Sequence, residues 1–322
     1  SGGSIYPVAI NIPQIFNSLP DHEPRKIGAY ISWVAIASTC VTSSMFLTAL
    51  APNLLAVDLI AKGTGHSITW MEWAKIMLPL MIPLFILTPW LTYVIYPPTQ
   101  KKSPEAPVWA AEELKKLGSI TFKEYLMAGL ATVALVLWIF GKELGVDATI
   151  TAISIVSIMI LSGIISWDDL LSDKAAFNVF IWFATLVALA DGLKKVGILD
   201  FIGKNSQAML SDLSLTSLII ALILLFYVLH YFFASTTAHV TALVPLFMVI
   251  ASTFIPAEQL LTFTILLAGS LGVMGIITPY GCGPSPIWYG AGYISQGKWW
   301  ALGAIFGAIY LIPIIIGVFI FI

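Results

Sequence analysis

Charge is what this sequence has least of. Only 10% of its residues are Asp, Glu, Lys or Arg, while 59% are hydrophobic; a soluble domain carries roughly 25% charged residues. A water-facing surface cannot be made from that ratio, so a soluble fold is excluded and an all-α polytopic membrane protein is expected. There is no run of lysine or arginine, which excludes a nucleic-acid partner, and a net charge of −2 selects no other partner. Cysteine is almost as scarce. Cys40 and Cys282 both lie in apolar stretches, so a disulfide framework or a zinc site is not expected, and small buried thiols are. Also missing are a phosphate-binding glycine loop, a dinucleotide fingerprint, paired catalytic carboxylates and a His/Cys cluster. Neither a cofactor, a metal, an enzyme nor an ATP-driven pump is expected from this chain. The chain has no initiating Met: Ser1-Gly2-Gly3 runs directly into an apolar segment at 5–13. That opening reads as a fragment lacking its N-terminal part.

What the sequence does have is apolar runs near the length of about 20 residues that a span needs. They lie at 27–50, 76–96, 125–140, 150–165, 177–190, 215–231, 240–254, 260–277 and 299–322. Two are interrupted. The first passes through Thr48-Ala-Leu-Ala-Pro52-Asn53 before resuming at Leu54, and another passes through residues 278–286, with three prolines and two glycines in nine positions. Such segments cannot be regular helix, and their freed carbonyls and amides must find other partners.

The runs at 215–231 and 240–254 are joined by His230-Tyr-Phe-Phe-Ala-Ser235-Thr236-Thr237-Ala-His239, without a charged loop. A re-entrant hairpin explains this better than two plain spans, and residues 5–16 could be one arm of an equivalent hairpin. A hairpin followed by a broken helix would then occur twice, as in an inverted-repeat transporter. The expected organisation is residues 1–98 as the remainder of an incomplete first repeat and 99–121 as a cytoplasmic linker containing a short surface helix. Residues 122–322 would be the second repeat, with its hairpin at about 213–255 and its broken helix at about 258–294.

Loop charge gives the orientation. Arg25, Lys26, Lys101, Lys102, Lys115, Lys116, Lys123, Lys174 and Lys298 mark the cytoplasmic side, against Lys62, Lys142, Lys194, Lys195 and Lys204. The Ser235 tip then enters from outside. Trp70, Trp73, Trp90, Trp167, Trp299 and Trp300 are expected as interfacial anchors, and Asp58 as a helix end facing water.

The polar interruptions are the candidate site. Hydroxyls and amides at a hairpin tip can donate to carboxylate oxygens, and a helix N-terminus adds a favourable dipole. Isolated Ser and Thr in membrane helices usually bond back to carbonyls. The clustering of Ser235, Thr236 and Thr237 between hairpin arms favours a ligand role, as do the residues from Thr278 and Pro279 onward. Thr48, Pro52 and Asn53 form a third candidate. His239 is either a histidine bonded within the bundle or a positive charge beside an anionic substrate. Ser235 and His239, four residues apart, also leave open an intramembrane hydrolase, although no third orienting group is evident.

These segments, together with the opening SGGSIYPVAINIP and the texts RKIGAYISW, MFLTALAPNLLAVDL, YPPTQKKSPEAP and HYFFASTTAH, resemble the divalent anion:sodium symporter family. The likeness runs end to end and is closest to its bacterial citrate/succinate and tartrate/succinate antiporters and plastid 2-oxoglutarate/malate translocators. The resemblance implies an inverted-repeat homodimer in the inner membrane. A di- or tricarboxylate would bind between two hairpin tips, and the substrate-bearing domain would move as a body against a dimeric scaffold. It places the second tip at Ser235, Thr236 and Thr237, the second broken helix from Thr278, and the first at 48–53. The first tip would lie upstream of Ser1. Thr236 stands where sodium-coupled members have Asn, and His239 takes the place of a compensating cation, which implies sodium-independent antiport. A sodium-coupled dicarboxylate symporter is the alternative.

Overall fold

The computed structural model describes residues 6, 7, 9–102, 104, 106–174, 177, 181, 185, 188, 192, 195–197, 201 and 213–322. The span expected at 177–190 lies almost wholly outside them. The described residues are helical with no strand. Among the described residues six helices are long and apolar enough to cross a membrane. In chain order the helices are α1 (Ile12–Ile15), α2 (Gly28–Met45), α3 (Ala51–Thr64), α4 (Trp70–Ile95), α5 (Ala106–Leu117), α6 (Phe122–Leu144) and α7 (Ala148–Leu161). They continue with α8 (Trp167–Ser172), α9 (Leu215–Leu229), α10 (Thr236–Phe254), α11 (Ala257–Met274), α12 (Ser285–Gly290) and α13 (Gln296–Phe321).

The chain forms two compact units. One comprises Ser1–Ile68, Glu72–Gln100 and Phe183–Ile322, the other Thr69–Met71 and Lys101–Trp182. This grouping follows packing and leaves the repeat boundaries untouched.

The larger unit is built around α11, whose every residue from Phe263 to Met274 is buried. Its small residues let neighbours approach at backbone distance. A Cβ on Gly272 would stand 2.5 Å from both the amide nitrogen and Oγ of Ser44, so α2 can cross α11 there only against a glycine. Pairing with α2 and α13 then encloses the centre of α11. The helix α4 carries Pro79, Pro83 and Pro89 in its interior. It remains anchored through Thr88, whose hydroxyl meets that of Tyr310 on α13 at 2.7 Å.

Both helix interruptions read from the sequence are present, with shifted limits. The first helix ends at Met45, Leu47–Ala49 makes one 3-10 turn, and α3 starts at Ala51. Pro52 and Asn53 therefore open the second half instead of lying within the break, which suits a proline that lacks an amide proton. The second interruption follows Met274 and extends to the short helix α12. The expected hairpin turns through the 3-10 segment His230–Phe232, with Ser235 as the N-cap of α10. Of the stretch 5–16, residues Tyr6, Pro7 and Ala9 are helical and α1 is a single turn.

Two smaller expectations need correction. Trp73 and Trp299 are not interfacial: both are fully buried, Trp73 donating to the Ser44 carbonyl (3.1 Å) and Trp299 meeting Trp33 edge to face at 5.2 Å. Trp90 and Trp167 are exposed. Asp58 lies within α3, paired one turn on with Lys62 (3.4 Å), and is not a helix end. Arg25 donates to the Pro97 carbonyl (2.7 Å), and the backbone of 99–100 bonds to that of 25–26.

The smaller unit is an antiparallel pair, α6 and α7, preceded by the exposed helix α5 and followed by α8. Its helix starts carry their own signals. Thr121 and Glu124 form a capping box for α6, and Ser166 and Asp169 form one for α8. Asp147 caps α7 by accepting the Thr149 amide (2.8 Å) and the Ile150 amide (3.3 Å). Those two amides hold its carboxyl below the usual carboxylate range.

Candidate functional site

The three polar interruptions gather in the larger unit, and each is tied to another by a specific bond. The first break meets the end of α11 through Ser44, whose Oγ accepts the Val273 amide at 2.9 Å. The other hydroxyls of that stretch stay local: Thr39 donates to Ala35 and Thr42 to Ser38 on their own helix. Asn53 closes the break itself, its amide donating to the carbonyls of Ser43 (2.8 Å) and Phe46 (3.4 Å). The Ser43 carbonyl is among the acceptors that the α2 ladder leaves over at its C-terminus, and Phe46 O also accepts the Ala49 amide (3.0 Å). The other end of the same side chain, Oδ1, is buried with no hydrogen-bond partner. Pro52 is buried beside it, and Thr48 is half-buried in the 3-10 turn.

The hairpin tip meets the second break through one carbonyl. Gly281 O accepts the Thr236 hydroxyl (3.1 Å) and faces His230 Nε2 at 2.7 Å. Gly281 itself closes a turn by donating to the Thr278 carbonyl (3.3 Å). A Cβ at this position would stand 2.7 Å from the Gly275 carbonyl and 3.0 Å from Thr278 Oγ1, so the turn requires glycine. Thr278 is fully buried, and its hydroxyl has no hydrogen-bond partner. Pro279 is half-buried next to it. Ser235 is exposed and caps α10 by accepting the Ala238 amide (3.4 Å). The amides of Thr236 and Thr237, the first two of the helix, stand outside its ladder and are available as donors.

The first and third motifs are brought level by helix packing. The helices α3 and α10 lie closely along each other. A Cβ on Gly63 would be 3.8 Å from Met248 Cβ. Their C-terminal ends are together as well, since Ile60, Thr64 and His66 share one cleft with Ala257 and Glu258, just beyond α10. The two helices are therefore parallel. Gly63 lies twelve residues past Ala51, and Met248 twelve past Thr236. At 1.5 Å per residue, each N-terminus stands about 18 Å from that contact, on the same side. Two helix N-termini, each worth about half a positive charge, thus face the same way side by side.

His239 is fully buried. Its ring is walled by Phe226 (4.4 Å between centroids), Phe233 (5.0 Å) and His230 (5.0 Å), and neither ring nitrogen has a hydrogen-bond partner. Since Ser235 is exposed and His239 bonds to no hydroxyl, the nucleophile–base pair that a hydrolase needs is not formed. Among the described residues no three of His, Cys, Asp and Glu gather as a metal site. Cys40 and Cys282 are free and buried.

Sequence reasoning singled out the tip and both breaks but gave no role to Ser44, His230 or Gly281. The only signal for His230 is that two of the chain's four histidines fall within one ten-residue stretch. Ser44 and Gly281 look like their neighbours until the chain is folded.

The sequence has counterparts among known proteins. The family described as the sodium:sulfate symporter transmembrane region matches residues 1–321. The chain is 46% identical over 315 residues to the L-tartrate/succinate antiporter of Escherichia coli (strain K12), and equally so to that of Shigella boydii serotype 4 (strain Sb227). It is 45% identical to that of Shigella flexneri. In each case the match covers 98% of this chain but 64% of the relative, so the chain spans just under two thirds of those proteins' length. Matched almost from end to end, the chain belongs to the sodium:sulfate symporter transmembrane family, the divalent anion:sodium symporters that its motifs resemble.

Proposed function

We propose that the protein is a secondary carrier exchanging di- or tricarboxylates of the succinate, tartrate, malate, 2-oxoglutarate or citrate type across a bacterial inner membrane, without sodium. One substrate carboxylate would take its hydrogen bonds from Ser235, Thr236 and Thr237 and from Thr278 beside Pro279. Thr48, Pro52 and Asn53 would form the opposite wall. His239 supplies compensating charge behind the tip. Residues 1–98 and 122–322 act as two inverted repeats, the first incomplete, joined by the cytoplasmic linker 99–121. Two copies of the protein form the working dimer, and the substrate-bearing hairpin and broken helices move together between the two faces of the membrane.

The observation that carries this reading is the pair of level, parallel helix N-termini at Ala51 and Thr236. An anion is stabilised where unpaired amides and helix dipoles converge. The unpartnered hydroxyl of Thr278, close behind, fits a buried polar site that a ligand completes. The relatives carrying the same stretch of chain are tartrate/succinate antiporters, which favours small dicarboxylates over sulfate.

Proteoliposomes loaded with unlabelled succinate or tartrate test it. Labelled succinate should enter equally fast whether the external salt is sodium or choline. Loss of entry in choline would establish sodium-coupled symport, and absence of exchange with every dicarboxylate would overturn the substrate class.

A further inference from the structure

His230 is given no role by the proposed transport reading, yet it is fully buried where hairpin and broken helix meet. Its Nε2 lies 2.7 Å from Gly281 O. A carbonyl can only accept, so Nε2 carries the proton and the ring is a donor at that position. The same carbonyl accepts the hydroxyl of Thr236 at the tip. Gly281 O is thereby fixed from two directions, by the first residue of α10 and by the last turn before the tip. A third bond, from Tyr280 Oη to the Tyr231 carbonyl (3.2 Å), runs between the same two segments.

From these bonds we infer that His230 is a positioning residue. Through Gly281 it holds the turn 278–281 against the hairpin tip, so that Thr278 and the tip hydroxyls act as one surface. It also presents its ring edge-on to His239 at 5.0 Å, which closes one side of the box holding that ring. The physical need is clear from the neighbouring sequence. A segment with three prolines and two glycines in nine residues has few backbone bonds of its own, and its position must be set from outside. Gly281 cannot be stiffened by a side chain, because a Cβ there would collide with the Gly275 carbonyl. An imidazole anchored on the stiff end of α9 supplies the restraint. The inference rests on the exchange reading for its kinetic consequence, but not for its structural one.

The test compares His230→Ala, His230→Leu and His230→Gln in the whole protein carrying Cys40→Ala. Cys282 lies next to Gly281 and is buried, so its reaction with a maleimide in detergent reports release of the turn without requiring any substrate. Ala and Leu should speed Cys282 labelling at least tenfold and raise the KM for exchanged dicarboxylate about tenfold, with a smaller change in maximal rate. Gln places an amide donor near the same point and should return both values to within about threefold of the parent. If Ala fails to fold, the Leu and Gln pair decides, since Leu keeps the bulk and removes only the donor. Unchanged labelling and KM in Leu would overturn the proposal, and so would a Gln variant that behaves like Leu. Should the parent exchange no dicarboxylate while labelling still follows the donor, the function reading fails and the positioning role stands.

Discussion

At the scale of single residues, the larger unit depends on few polar contacts, each between distant parts of the chain. The bond from the Val273 amide to Ser44 Oγ is buried, and its partners are 229 positions apart. Ser44→Ala would leave that buried amide without its partner. The expected cost is about 1–3 kcal/mol, read as a lower unfolding temperature in detergent. An unchanged temperature would show that the bond contributes nothing. Nothing in the run from Ser38 to Ser44 distinguishes Ser44 from Thr39 or Thr42, whose hydroxyls return to carbonyls of their own helix. A polar residue in an apolar run announces that a partner is needed, and only the fold says whether the partner is local. The tryptophans make the same point. Trp73 and Trp90 lie on the same helix, yet one is fully buried and the other exposed, because burial depends on which face of α4 meets the rest of the unit.

At the scale of elements, the sequence was most legible where the backbone chemistry is most constrained. The crowding of prolines and glycines at 278–286 excludes uninterrupted helix, and helix is interrupted there and just before Pro52, whereas the single prolines at 79, 83 and 89 are carried inside α4. The uncharged join between the runs at 215–231 and 240–254 likewise anticipated a tight turn. What remained hidden was the relation between helices, which no local pattern encodes. The parallel packing of α3 on α10 can be tested directly. With both native cysteines replaced by Ala, Gly63→Cys and Met248→Cys would put their Cβ atoms about 3.8 Å apart, the mean separation in disulfides. Mild oxidation should cross-link them within one chain, whereas a cysteine pair joining position 63 to the first turn of α10 should stay reduced. Cross-linking of that second pair instead would mean antiparallel packing. It would also separate the two helix N-termini on which the candidate anion site depends.

For the whole molecule, the central question is how the negative charge of the substrate is balanced during its passage. A carboxylate taken from water into a buried site needs compensation there. A sodium ion can accompany the substrate across and leave with it, so a sodium-coupled carrier can return empty in neutral form. On this chain the proposed compensation is built from two helix N-termini, which cannot leave, and from His239, whose imidazole is charged only while it holds a second proton. Without an anion the two helix ends would have to move across the membrane as an unbalanced, partly desolvated positive group. That step is unfavourable for the same reason that an unpaired charge at bilayer depth is costly. The empty carrier should therefore be trapped, and transport should require substrate on both sides. Vesicles loaded with a dicarboxylate should take up labelled succinate at least tenfold faster than vesicles containing only buffer. A sodium gradient imposed on the empty vesicles should not restore the rate. Equal uptake by loaded and empty vesicles would show that the compensating charge either travels or is lost on the way back. In that case fixed charge at the helix ends could not be what balances the substrate.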